Sequence, residues 1–513
     1  MTMARQRPAL AEHSLAPYVG VPAVKAGEGS QGHPERFRAP RPRPALPPRR
    51  GWARKWGGRA AVLPQVPVYR GSTAQVQGLY PWLYGGTLPA AGAYLGVDCL
   101  TGGAFSCHPL AWLAEGLVSN PNVLITGVPG AGKSAMVKAL ALRLMAYGVR
   151  AFVCGDLKNE YAPLARALGT EPVELGPGLP ARLNPLDAGP LGDNLPADPA
   201  RLAERRAEIH RRRLVLLSSL ASMRLGRPLT PTEESAVSLA IHEASGRHAD
   251  GPEKEVAGRG RGGAHLAGPT IPAVWAVLRD PVPEMARELR VRRGSVPELR
   301  EMTRPVTDAL GGMVHGALAG LFDGPTTVRP DFTAPVQTVD LSRMADRGDE
   351  TIAMILACVS SWAQAAVDEP GPARMIIRDE LWRSLRIPAL VRKIDSDLRL
   401  SRAQGTIQVL ATHRLADFET AGTAGTAEAA ISAGLVASCD TRVCLRQDTA
   451  PLAATREQVG LTDTECAHIA SWSGRQAGRA VWKVGRAASA VVQVVLTPVE
   501  RELFYTNERM GVS

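Results

Sequence analysis

The sequence predicts an α/β protein: a mostly parallel sheet flanked by helices, carrying a phosphate loop and interrupted by an inserted α-helical subdomain. Three observations carry that expectation. Asn122 to Lys138, NVLITGVPGAGKSAMVK, is a short apolar strand, then G-x-x-x-x-G-K-S, then an apolar helix. Farther on, MIIRDE is a second apolar strand, ending in Asp379 and Glu380. Around both, short apolar runs alternate with helical patterns, the progression that yields parallel strands with helices packed on the sheet faces.

The residue types of the first stretch follow from what holds a nucleotide. Its β- and γ-phosphates concentrate negative charge that backbone N–H groups must approach closely. Gly127, Gly130 and Gly132 permit that approach, and the helix N-terminus adds the positive end of its dipole. The loop Gly127, Val128, Pro129, Gly130, Ala131, Gly132, Lys133, Ser134 and Ala135 is therefore the expected ATP-binding segment. Lys133 is expected to reach the β/γ oxygens and the Ser134 hydroxyl to ligate Mg²⁺. On the second strand, Asp379 is expected to hold the metal and Glu380 to activate the attacking water. Arg378 is awkward, because a strand buried on both faces must give a charge just before that pair a partner.

Length and composition organise the rest. The chain has 513 residues and a formal charge of +11. Residues 1–60 hold twelve Lys and Arg against three Glu, so the remainder is close to neutral. The Pro/Arg-rich stretch 1–70 is expected to be a basic disordered tail, either merely solvated or an arm for DNA, an acidic membrane surface or a partner. Residues 71–121 form a lead-in, with AYLGVD and AFSCH as a hairpin turning at Gly102 and Gly103 and the aromatic run LYPWLYGG as core. Residues 122–189 and 335–513 are the two parts of the sheet domain, and 190–334 the helical insertion, with a Gly-rich loop at 251–268. Seven cysteines form no C-x-x-C pair, which fits a reducing compartment. The N-terminus lacks an apolar signal core, and the apolar run Thr351 to Val367 contains Ser360, Ser361 and Gln364, so it reads as a buried helix rather than a membrane span.

These motifs together carry a resemblance. Beyond the phosphate loop and RDELWRSL, the pieces GVDCLTGGAF, GDLKNEYAPLARALG, ELGPG with RLNPLD, GALAGLFDGPT, VQTVDLS and RAQGTIQVLATHRLADF, spread over roughly residues 75–500, resemble the TraC-like, VirB-type ATPases of type IV secretion and conjugation, within the HerA/FtsK group of RecA-like P-loop motors. The resemblance implies a Mg²⁺-dependent ATPase that forms homo-hexamers and meets secretion-channel subunits at the inner membrane, cytoplasmic or peripheral at its cytoplasmic face. It implies that His413 takes the place of the family's glutamine that reads the γ-phosphate, and that Asn159 stands where glycine is common. It also implies an arginine donated by the next subunit, for which Arg402 is preferred over Arg414, Arg442 and Arg446. A DNA-translocating motor of the same superfamily and a nucleotide-binding scaffold with little turnover stay open as alternatives, and direct DNA contact stays open with them.

Overall fold

The computed structural model describes residues 91–193, 195–249, 268–316, 318–385, 387–419, 427–486 and 488–505, with 55, 88 and 266. Nearly all of the basic tail, the LYPWLYGG run and nearly all of the Gly-rich loop lie outside them.

Among the described residues, eleven strands form one sheet: β1 (Ala93–Asp98), β2 (Ala104–Cys107), β3 (Val123–Thr126), β4 (Arg150–Asp156), β5 (Val173–Glu174), β6 (Val336–Asp340), β7 (Arg374–Arg378), β8 (Thr406–Thr412), β9 (Thr441–Leu445), β10 (Arg479–Val484) and β11 (Ala488–Val494). Their spatial order is β2-β1-β11-β10-β9-β3-β8-β7-β4-β6-β5. From β9 to β5 every neighbouring pair is parallel, and from β9 to β2 every pair is antiparallel. The hairpin β1–β2 forms as expected, its turn held by the Asp98 carboxylate accepting from the Leu100 amide at 3.0 Å and the Thr101 hydroxyl at 2.9 Å. It does not pack against the sheet but extends it, through β11.

Alternation along the parallel strands divides the core. Val123, Ile125, Met375, Ile377, Val409 and Ala411 face one side, where α1 (Lys133–Leu144) covers them with Met136, Val137 and Leu140. Leu124, Leu410 and Cys444 face the other side, with Phe152 and Ile376. On that side the inserted helices α2 (Pro199–Leu225), α3 (Pro231–Ala249), α4 (Ile271–Arg279) and α5 (Val296–His315) pack with Leu217, Ile241, Val274 and Leu310. Their apolar residues are continuous with Phe152, Val339 and Ile376 of the sheet, so the insertion has no core of its own. The apolar helix α6 (Asp349–Asp368) meets the length and hydropathy of a membrane span, yet Ile352, Ile355, Val359 and Trp362 are buried inside the protein, as its interspersed polar residues suggest.

Arg378 also lies on this second face, where α7 (Pro388–Gln404) presents Asp397. Its guanidinium donates to Asp397 Oδ2 at 2.6 Å and to Gln408 Oε1 at 2.5 Å, and Lys393 pairs with the other Asp397 oxygen. Arg378 and Asp397 are both buried. Removing one member of a buried ion pair strands the other, a loss of about 3–5 kcal/mol. Asp397→Ala should therefore cost about that much in chemical denaturation. Lys393→Ala, which removes a partly exposed cation, should cost about 1 kcal/mol or less. Equal small losses for both would contradict this account of Arg378.

Candidate functional site

In a parallel sheet with helical crossovers, the turns after the carboxyl ends of the strands gather at one edge. The turn after β3 enters α1 through Gly132, whose φ of 98° lies in the left-handed region. A Cβ there would come within 2.7 Å of the Gly478 backbone nitrogen, so the position requires glycine for both its conformation and its neighbour. The Gly478 amide donates to the Ala131 carbonyl at 2.8 Å, and the Val128 amide donates to the Arg446 carbonyl at 3.0 Å, so the loop is braced by the turn before β10 and the turn after β9. No side chain caps the N-terminus of α1. That uncapped end, with Gly130 at φ 75° in open space, is a cradle suited to phosphate oxygens.

Lys133 is buried, and its ammonium donates to the Gly127 carbonyl at 2.7 Å and to His413 Nδ1 at 2.9 Å. Burial pushes this amine down to about 8, against the pull of Asp379 and Glu380. An ammonium only donates, so His413 Nδ1 accepts and its Nε2–H is left to face Glu380 Oε2 at 3.1 Å.

Glu380 collects two further donors, the Trp382 indole N–H at 2.6 Å and the Lys158 ammonium. Burial alone would raise its carboxyl, but the hydrogen bonds from His413, Lys158 and Trp382 hold it far below the usual carboxylate range. Its own backbone sits at φ 51°, a conformation that costs a non-glycine residue about 1–3 kcal/mol and recurs at functional sites. Asp379 behaves oppositely. Burial first, and the adjacent Glu380 charge second, raise its carboxyl, while the Tyr161 hydroxyl donates to its Oδ2 at 2.9 Å and opposes the rise. The Ser134 hydroxyl lies 3.4 Å from the same oxygen. A hydroxyl beside a buried carboxylate whose charge is poorly compensated is a hard-oxygen pair that suits Mg²⁺.

The segment 156–161 supplies Lys158 and Tyr161. Asp156, at the end of β4, accepts from the amides of Tyr161 at 2.7 Å, Glu160 at 2.9 Å and Lys158 at 3.2 Å. Burial still raises its carboxyl to about 6. Asn159 stands at φ 55°, which is the physical reason glycine suits that position and asparagine can replace it. Glu160 lies 3.9 Å from the buried Lys138 ammonium, balancing a cation that has no hydrogen-bond partner among the described residues and packs over the Tyr161 ring.

The structure thus brings together Lys133, Ser134, Asp379, Glu380 and His413, and places Arg402 elsewhere. Arg402 precedes β8, at the opposite edge of the sheet, where it donates to the Ser119 carbonyl at 3.3 Å. It cannot serve the phosphate loop of its own chain. Arg442 is committed to the carbonyls of Cys439 and Val459, at 2.9 and 3.3 Å. Lys158, Tyr161 and Trp382 are the site residues that sequence reasoning passed over. Their motifs GDLKNEY and RDELWRSL stood out, but strand order alone brings the one to the other.

The fold and this edge define a class, a RecA-like P-loop fold with a mostly parallel sheet flanked by helices. More particularly, the chain is similar to VirB4 of Thermoanaerobacter pseudethanolicus, with a TM-score of 0.60 and 20% identity, over 82% of this chain and 99% of that one. It is also similar to the bacterial conjugative coupling protein TrwB (TM-score 0.48, 13% identity, 79% of this chain and 89% of that one). TrwB in complex with ADP and Mg²⁺ gives a TM-score of 0.46 at 14% identity, over 73% of this chain and 86% of that one. No protein-family model and no curated protein matches the sequence. The VirB-type resemblance read from the motifs is thus shown at the level of the fold.

Because the Lys133 amine loses its charge near pH 8, affinity for a nucleoside triphosphate should fall as pH rises above about 8, by up to about tenfold per unit. Isothermal titration calorimetry at several pH values measures this. An affinity that stays flat to about pH 10 would contradict the placement of Lys133 against phosphate.

Proposed function

We propose that the protein is a Mg²⁺-dependent ATP hydrolase that powers substrate transfer or apparatus assembly in a conjugative or type IV secretion system. It works as a homo-hexamer at the cytoplasmic face of the inner membrane, against subunits of the secretion channel. One observation carries the reading. The phosphate-loop cation and the carboxylate of the second acid are joined through one imidazole, Lys133 to His413 to Glu380, with the Ser134 and Asp379 oxygens beside them. The VirB4 fold and the motifs shared with VirB-type ATPases support the cellular role.

In this reading, the amides at the start of α1 and the Lys133 ammonium hold the β- and γ-phosphates. Ser134 and Asp379 would hold Mg²⁺, which when bound supplies charge neutralisation at the phosphates. Glu380 orients a water and takes its proton as the oxygen attacks the γ-phosphorus. The bond from that phosphorus to the bridging oxygen breaks, and ADP leaves with the electron pair. His413, accepting from Lys133 at Nδ1 and presenting its one N–H to Glu380 Oε2, keeps that carboxylate aimed. The trans arginine is a residue of the neighbouring subunit, the only geometry in which Arg402 could reach a phosphate.

Phosphate release by the full chain with ATP and Mg²⁺ tests the assignment. Lys133→Ala should abolish it, and Glu380→Gln should lower it about 10²- to 10⁴-fold with nucleotide binding kept. Mass measurement on the same samples should find hexamers. Equal release by the wild type and Lys133→Ala would overturn the reading, and stimulation by DNA would favour a DNA-translocating motor instead.

A further inference from the structure

The mechanism leaves one feature unused. Glu380, the residue that must take a proton, is saturated with donors, and one of them is a full cation from a different strand. Lys158 reaches it from the turn after β4, whose backbone is anchored by Asp156 through three amides. The other two donors have little freedom. Trp382 lies two residues from Glu380, and His413 is tied at its other nitrogen to Lys133. The Lys158 side chain is 54% exposed, against 26% for His413, on a flexible four-carbon stem. The ammonium therefore occupies a Glu380 oxygen that would otherwise be open to a water.

The site also supplies a reason for it to leave. Lys133 and Lys158 address the same Glu380 carboxylate, Lys133 through His413 at Oε2 and Lys158 directly at Oε1, so the two cations stand on either side of it at the edge that carries the phosphate loop. A terminal phosphate placed there carries more charge than the single carboxylate and offers three oxygens in place of one.

We propose that Lys158 is a second phosphate-contacting lysine and a triphosphate-dependent switch. In the arrangement seen here it restrains Glu380. When a γ-phosphate occupies the loop, the Lys158 ammonium moves to a phosphate oxygen, and the same movement releases Glu380 to act on water. A diphosphate does not reach far enough to draw it away, so the glutamate is armed only with the substrate in place. The inference rests on the nucleotide-site reading above and adds to it a residue that distinguishes ATP from ADP.

The test is equilibrium binding to the full chain, with Mg²⁺, of ADP and of a non-hydrolysable β,γ-imido ATP analogue. It compares the wild type with Lys158→Met, Lys158→Arg, Glu380→Gln and the Lys158→Met/Glu380→Gln double variant, and uses Lys133→Ala as the control for the site. Lys158→Met should weaken the triphosphate analogue about 10- to 100-fold, the range of one charge-assisted hydrogen bond, and leave ADP unchanged. Lys158→Arg should keep most of the discrimination. Glu380→Gln removes the restraint and should tighten the analogue when Lys158 is present but not in the double variant. Equal losses for both nucleotides, no loss for either, or the same Glu380→Gln effect in both backgrounds would overturn the proposal. If Lys158→Met fails to fold, Lys158→Gln, which also removes the charge but keeps a polar end, takes its place in the same comparison. Lys133-dependent binding of both nucleotides, with no effect of Lys158→Met on the triphosphate analogue, would overturn this inference alone. Absence of Lys133-dependent binding of either nucleotide would overturn the underlying reading with it.

Discussion

One chain of hydrogen bonds organises the site: Lys133 to His413 to Glu380 to Lys158. Its members follow β3, β8, β7 and β4, which are consecutive neighbours in the sheet. The polar chain therefore crosses the carboxyl edge one strand at a time, about 5 Å per step, the spacing between hydrogen-bonded strands. This explains why the strands must be parallel here. An antiparallel neighbour would present the start of its strand at this edge, and the chain would break. The antiparallel part of the sheet begins at β9, beyond the Lys133 end of the chain, and there the contribution to the site is bracing: Arg446 and Gly478 hold the loop by backbone hydrogen bonds.

Electrostatics then separates two adjacent acids into different roles. Asp379 is buried beside a like charge and shifts up, which favours a bound cation. Glu380 is hydrogen-bonded by three donors and shifts down, which keeps it ionised but restrained. Titratable neighbours pushed in opposite directions by their surroundings are a recurring basis for dividing chemical labour. The backbone contributes as well. Glu380 at φ 51° turns its carboxylate away from the strand direction toward His413, and Asn159 at φ 55° turns the chain so that Lys158 and Tyr161 address Glu380 and Asp379 respectively. On the far face, Arg378 anchors the same strand to Asp397, so the acids project from a β-strand fixed on both sides.

How much of this was legible in the sequence follows from the range of each interaction. The phosphate loop is a local pattern: its glycines, lysine and serine are close in the chain, and the strand and helix on either side are periodic. The strand ending in Asp379 and Glu380, the buried helix α6 and the β1–β2 hairpin were readable for the same reason. The unease over Arg378 was justified, but its partner Asp397 could not be named, because it depends on which helix lies behind β7. β10 escaped notice: RAVWKV mixes charge with apolar residues where it pairs with β9 and β11. The meeting of Lys158 with Glu380 escaped it entirely, since no spacing in the sequence says that β4 lies beside β7. The continuity of the helical insertion with the sheet core is likewise a matter of packing that helical periodicity does not contain.

The most direct test of the central claim, that this sheet edge is one nucleotide site, is a crystal structure with a non-hydrolysable ATP analogue and Mn²⁺ in place of Mg²⁺, using the anomalous signal to locate the metal. The account requires the terminal phosphate against Lys133, and the metal between the Ser134 hydroxyl and the Asp379 carboxylate. A nucleotide whose phosphates lie away from the loop, or a metal peak remote from both oxygens, would contradict it.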